Sequence, residues 1–139
     1  MRKLSDMVFN QHPITMSSND SVMMACERMR DTRAGSILIT DEHGKLLGIF
    51  TGRDAVCRVV AAGRSPERTK LADVMTSQPE TLPPGKTAID ALRLMWDGGF
   101  RHVPIVEHGR LHGVVSRGDF KSEERYRLEE ERELWEHIR

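Results

Sequence analysis

The sequence predicts a mixed α/β (α+β) fold of two tandem repeats, each a small sheet with covering helices, and three observations predict it. One succession of turn residues and apolar runs occurs twice, from Pro13 to Asp54 and from Pro79 to Asp119. The offset is 66 residues up to Ile39 and Ile105, and 65 beyond them, because Asp41-Glu42-His43-Gly44 is answered by the shorter Glu107-His108-Gly109. Within each copy, apolar residues at helical spacing alternate with short strand-like runs. A unit of this size is too small to bury a core alone, so residues 1–139 are expected to fold together, the copies related by pseudo-two-fold symmetry.

In order, the first repeat is read over residues 4–63. Pro13-Ile14-Thr15 is a short extended piece, and Ser17 to Asp20 offers capping oxygens. Val22, Ala25, Cys26 and Met29 then mark one buried helix face. Ile37-Leu38-Ile39 is a strand, Asp41 to Gly44 a hairpin turn, and Leu46 to Phe50 the return strand. Val56, Val59 and Val60 continue as a helix that Gly63 can end. Residues 64–70 are a polar linker with a proline. The second repeat, 71–121, follows the same plan: a strand at Thr81, helix positions Ala88, Ala91, Leu92 and Met95, strand Val103 to Val106, turn His108-Gly109, and strand Leu111 to Val115. Residues 122–139 form a C-terminal helix, since Lys121 to Arg139 holds seven Glu and five Lys or Arg with no Gly or Pro. Leu128, Leu134, Trp135 and Ile138 give that helix an apolar side suited to docking another subunit.

Twenty-one basic and 21 acidic residues leave a formal charge of zero, which argues against nucleic-acid binding. The longest apolar stretches are about five residues against the roughly 20 needed to span a membrane. The N-terminus has no apolar export signal, so a cytoplasmic protein is expected, with Cys26 and Cys57 as thiols rather than a disulfide.

The doubled motif is Thr51-Gly52-Arg53-Asp54 and Ser116-Arg117-Gly118-Asp119, each where an apolar strand turns into a helix. A hydroxyl followed three residues later by an acid is a capping-box pattern, in which both side chains satisfy orphan backbone donors. The same geometry serves a nucleotide: helix-terminal amides suit phosphate, and an Asp accepts hydrogen bonds from ribose hydroxyls. Arg53 or Arg117, on the same turn, can meet a phosphate. Both readings stay open on the residues alone.

These residues resemble the CBS domain pair, or Bateman module, whose copies carry Gly, two apolar residues, then Ser/Thr-x-x-Asp. Here those are Gly48-Ile49-Phe50-Thr51 to Asp54, and Gly113-Val114-Val115-Ser116 to Asp119. Arg101-His102-Val103-Pro104-Ile105-Val106 is similar to the strand of a typical copy. The resemblance covers about residues 4 to 121 and implies two pockets, in a cleft between the copies, for an adenosine-containing ligand: AMP, ADP, ATP, NAD or S-adenosylmethionine. By that resemblance Asp54 and Asp119 hold ribose hydroxyls, Thr51 and Ser116 reach ribose or phosphate, and Ile37 with Leu38, next to Ser36, and Val103 with Pro104 flank the adenine. Thr15 and Thr81 complete the partner pocket. His102 is placed to face a phosphate. The first copy departs from the pattern at Leu38, where the second has Pro104, which bears on the shape of the first pocket but not on its Asp.

The family implies a regulatory sensor rather than an enzyme, with no cofactor required beyond the regulatory ligand, an unknown regulated protein as partner, and a homodimer. The alternative is a ligand-free dimerisation or interaction module in which the motif residues are only caps. Gly85-Lys86-Thr87 lacks the glycine that a phosphate-binding loop needs five positions earlier, where Glu80 stands. His102, His108 and His112 show no paired metal-ligand spacing, and no side chain has the context of an activated nucleophile. No catalytic or metal-binding residue is therefore assigned.

Overall fold

The computed structural model describes residues 1–138, and Arg139 and the side chain of Ile138 lie outside the described residues. In chain order the elements are α1 (Leu4–Val8), β1 (Thr15–Met16), α2 (Val22–Thr32), β2 (Ser36–Thr40), β3 (Leu46–Thr51), α3 (Gly52–Asp54) with a π-helical turn (Ala55–Val60), α4 (Leu71–Val74), β4 (Thr76–Ser77), α5 (Ala88–Gly98), β5 (His102–Glu107), β6 (Arg110–Ser116), a 3₁₀ turn (Arg117–Asp119) and α6 (Ser122–Ile138). They form two compact units: residues 12–80 with 108–111, and residues 1–11, 81–107 and 112–139.

The first of these units holds a four-stranded sheet in the order β1-β2-β3-β4, with β1 parallel to β2 and the other pairs antiparallel. Strand alternation puts Ile37 and Ile39 on the face that packs with Phe50, Met16, Val22, Val59 and Leu71. The side chain of Ser21 caps α2 by accepting from the Met24 amide at 3.1 Å, and Arg33 closes the helix at φ 57°. The hairpin turn uses Gly44 at φ 80°.

After α3 the chain differs from the helix expected there. The amides of Ala61 and Arg64 reach back five residues, to the Val56 and Val59 carbonyls, both at 2.9 Å. The widened turn buries Val59 and leaves Val56 and Val60 exposed.

The other unit packs α1, α5 and α6 with β5 and β6 around Leu4, Ala91, Met95, Val103, Ile105 and Val115. Thr87 and Asp90 cap α5 reciprocally, and Gly99 at φ 71° ends it. Thr81 does not open a strand. The equivalent of β1 is reduced to one parallel bridge between Leu82 and Ile105. The reason is Pro104: in the other unit the amide of Leu38 donates to the Ile14 carbonyl at 2.9 Å, and a proline at the corresponding position has no N–H to give.

Within the ranges read for the two copies, 4–63 and 71–121, the sequence match also extends ahead of Pro13 and Pro79. Lys3-Leu4-Ser5-Asp6-Met7-Val8 matches Lys70-Leu71-Ala72-Asp73-Val74-Met75, and these segments contain α1 and α4. Their hydrogen bonds match as well. Leu4 N donates to Lys86 O at 2.8 Å and Leu71 N to Asp20 O at 2.9 Å, while Ala88 N reaches Arg2 O and Val22 N reaches Thr69 O, each at 2.9 Å. The helix heading the first repeat thus belongs to the unit built from the second, and α4 completes the unit built from the first.

In α6, Leu128 is 5% exposed and part of the core, so of the expected docking residues it serves its own unit. Leu134 and Trp135 are 62% and 67% exposed. Arg93 binds Glu131 through two nitrogens at 2.8 to 3.1 Å and fixes α6 against α5. Among the described residues no helix is long and apolar enough to cross a membrane.

Candidate functional site

The strand register gathers most of the expected residues of the first repeat. Thr15, Leu38 and Ile49 are neighbours across β1, β2 and β3, and Ser36 is paired with Thr51. Ser36 and Leu38 share the face of β2 opposite to Ile37. Ile37 and Val103 are fully buried members of the two cores. Leu38 and Pro104 stay on the opposite face, both buried. Thr15 and Thr81 are exposed, and Thr15 borders an open cavity of about 420 Å³ with Pro13, Thr40 and His43. His102, at the start of β5, is half-buried.

Both Ser/Thr-x-x-Asp turns act as capping boxes. In the first, Asp54 Oδ2 accepts from the Thr51 amide at 3.0 Å and the Thr51 hydroxyl at 3.1 Å, while the Asp54 amide donates back to Thr51 Oγ1 at 3.3 Å. Asp54 Oδ1 faces Arg58 Nε at 3.5 Å, and the residue is buried. Arg58 itself donates to the Met75 carbonyl at 3.0 Å, just after α4. The first carboxylate is therefore engaged through both oxygens.

The second turn is built differently. Asp119 Oδ2 accepts from the Ser116 amide at 2.7 Å, but Asp119 is exposed, and its Oδ1 has no partner among the described residues. Arg2 Nη2 holds the Asp119 carbonyl at 3.1 Å and pairs with Glu124 Oε1 at 2.7 Å. Arg125 Nη2 holds the Arg117 carbonyl at 2.8 Å. Burial pushes the Glu124 carboxyl up, but the bonds from Arg2 and the Lys121 amide outweigh it and hold the group below its ordinary range. The turn, held by Arg2 and Arg125, thus presents to solvent one carboxylate oxygen without a partner among the described residues. Arg53 is exposed, and Arg117 is half-buried beside Trp96.

Sequence reasoning had passed over Arg58, Arg2 and Glu124. Arg58 was visible as an acid and a base four residues apart on a helix. Arg2 and Glu124 stand 122 residues apart, and no local pattern announces such a pair.

A model of the CBS domain matches residues 4–60 and again residues 71–125. The chain belongs to the CBS domain family. It is 40% identical over 102 residues to the CBS domain-containing protein CBSCBSPB2 of Arabidopsis thaliana, which covers 73% of this chain and 19% of that protein. The chain thus spans about a fifth of the length of such plant relatives. The crystal structure of the CBS-domain containing protein ATU1752 from Agrobacterium tumefaciens superimposes with a TM-score of 0.78 at 30% identity, covering 84% of this chain and 94% of that one. The CBS domain pair of protein MJ0100, solved in complex with 5′-methylthioadenosine and S-adenosyl-L-methionine, gives 0.77 at 27% identity, covering 86% and 92%.

Proposed function

We propose that this CBS pair is a regulatory module that binds an adenosine-containing ligand and passes its bound state to a protein partner by population shift. The observation that carries the reading is Asp119: a solvent-facing carboxylate oxygen without a partner among the described residues, on a turn held by Arg2 and Arg125, suited to a ribose hydroxyl pair. Ser116 stands beside it for ribose or phosphate. The ligand class is supported by the MJ0100 pair, whose bound molecules both contain adenosine. AMP, ADP, ATP, NAD and S-adenosylmethionine are the candidates, and a homodimer is the expected assembly.

Asp54 contributes at the first copy only if ribose displaces Arg58 from Oδ1, so we assign the stronger site to Asp119. Calorimetric titration with the five candidates tests this. Asp119→Ala is expected to weaken binding by about 1.5 to 3 kcal/mol, the range for a charge-assisted hydrogen bond, and to cost about 1 kcal/mol of stability as a lost cap. Asp54→Ala is expected to lower stability more than affinity. A second reading, an interaction module whose acids are only caps, is favoured by the doubly engaged Asp54. Ligand-free protein that binds none of the five compounds would establish that reading instead.

A further inference from the structure

The two Ser/Thr-x-x-Asp turns are tied to their sheets by the same hydrogen bond and each carries one arginine, but the residues at the two ends of that bond differ in charge. In the first turn the Gly52 amide donates to the Gly35 carbonyl at 3.4 Å; in the second the Arg117 amide donates to the Arg101 carbonyl at 2.9 Å. Where the first copy has two glycines, the second carries two arginines. Gly52 makes its backbone bond without a side chain, so the fold of the turn does not call for the guanidinium of Arg117.

Nor is that guanidinium paired. Arg2 is bound to Glu124 and to the Asp119 carbonyl, and Arg125 to the Arg117 carbonyl. The Arg117 side chain has no carboxylate partner among the described residues and only lies over the Trp96 ring, 5.8 Å from its centroid. That is close to the outer limit of about 6 Å for a cation–π contact. Arg132, on α6, covers the same ring at 4.3 Å. A half-buried cation without an anion therefore stands two residues from the open Oδ1 of Asp119. A guanidinium offers a planar fork of donors that fits phosphate oxygens in pairs.

Resting on the adenosine reading of Asp119, we propose that Arg117 is a specificity-determining residue: it makes the second turn select a phosphorylated adenosine ligand over an uncharged one. Leaving Trp96 for the phosphate, it signals occupancy to α6, which touches the same indole through Arg132. Carboxylate and guanidinium divide the ligand, ribose to Asp119 and phosphate to Arg117.

Trp96 and Trp135 are the only tryptophans, so Trp135→Phe leaves Trp96 as the sole indole reporter. In that background AMP, adenosine and 5′-methylthioadenosine are titrated by calorimetry and by fluorescence. AMP is expected to bind about tenfold or more tightly than the two uncharged compounds. Only AMP is expected to shift Trp96 emission. Arg117→Gln should bring AMP down to the affinity of adenosine and leave adenosine binding as it was, which doubles as the check that the variant is folded. Equal affinity for AMP and adenosine, an AMP preference that survives Arg117→Gln, or a parallel loss of adenosine binding would each overturn the assignment. AMP binding with silent Trp96 emission would overturn the signalling step. Failure of all three compounds to bind would remove the adenosine reading of the site and this inference with it.

Discussion

Gln11 completes the edge of β6 at Val114 with its side chain: Gln11 Nε2 donates to the Val114 carbonyl at 2.8 Å, and the Val114 amide donates to Gln11 Oε1 at 2.9 Å. In the other unit the matching edge is covered by a strand, with β4 pairing Thr76 and Ser77 to Ile49 and Gly48 of β3. One side-chain amide thus replaces the backbone of a two-residue strand, because a primary amide carries the same donor and acceptor as a peptide group.

Gln11→Ala is expected to destabilise the chain by about 1 to 3 kcal/mol, the range for partly buried backbone groups left without partners. Gln11→Glu loses the donor and should fall between the variant and the parent. Urea unfolding at neutral pH reads both, and a midpoint unmoved by Gln11→Ala would show that water replaces the amide at no cost.

The glycine of the doubled Gly-apolar-apolar-Ser/Thr motif has a packing reason. A Cβ on Gly113 would stand 2.6 Å from Gln11 Oε1 and 2.8 Å from Val8 Cβ, and one on Gly48 would meet Met75 Sδ at 2.6 Å and the Thr76 carbonyl at 2.8 Å. The close approaches come from the end of α1 and the segment after it at Gly113, and from the segment just after α4 at Gly48. Gly113→Ala and Gly48→Ala are each expected to cost about 1 to 3 kcal/mol by overpacking. The Gly48 variant should lose more, since backbone yields less readily than a side-chain tip. Thermal melting compares them, and an unchanged Gly48→Ala would mean that Met75 and Thr76 move aside freely.

That packing also shows where the sequence was legible and where it was not. Apolar periodicity placed α2, α5 and the central strands, because Val22 and Ala25 on α2, and Ala88, Ala91, Leu92 and Met95 on α5, recur at the spacing that one buried face requires. Alternation alone, applied strictly, would have sent Ile37 and Val103 to the core and left Leu38 and Pro104 for the opposite face. The short helices were missed because five and four residues carry too little period to register. Only the matched segments Lys3 to Val8 and Lys70 to Met75 betray them. The capping geometry of the motif acids was legible as one of the two readings their pattern allows. Their difference was not legible, since the partner of Asp54 is local while the frame around Asp119 is drawn from Arg2 and α6.

Acid should loosen that frame. Hydrogen bonds from Arg2 and Lys121 lower the Glu124 carboxyl against the opposing effect of its burial, and bonds from Thr87 with the charge of Arg93 lower Asp90. Groups depressed in the folded state stabilise it fully above their unfolded values, near 4.3 for Glu and 3.9 for Asp, and lose that contribution as the pH falls through the lower folded values. Stability is therefore expected to be flat from neutral pH to about 5 and to fall below about 4. Glu124→Gln and Asp90→Asn should flatten the acid limb of a plot of urea midpoint against pH. A limb of the same slope in both variants would place the titrating groups elsewhere.

The last relationship concerns α6, whose apolar residues divide in two. Leu128 is buried in its own unit, and Leu128→Ala should cost about 2 to 5 kcal/mol whatever the assembly, as a large-to-small change in a core does. A chain ending at Lys121 would lose that packing together with the Arg93 and Arg2 pairs to Glu131 and Glu124, so it does not isolate a role in assembly. Leu134 and Trp135 are the informative positions, exposed on a helix that is otherwise mostly charged. Burying such a side chain contributes about 1.5 to 3 kcal/mol, which a helix left in solvent never recovers. If these two residues lie in a homodimer interface, Leu134→Glu with Trp135→Glu should shift the mass seen by light scattering from dimer to monomer and leave the urea midpoint at high dilution unchanged. A dimer that persists at micromolar concentration would take this helix out of self-association and leave the pair to a different protein partner.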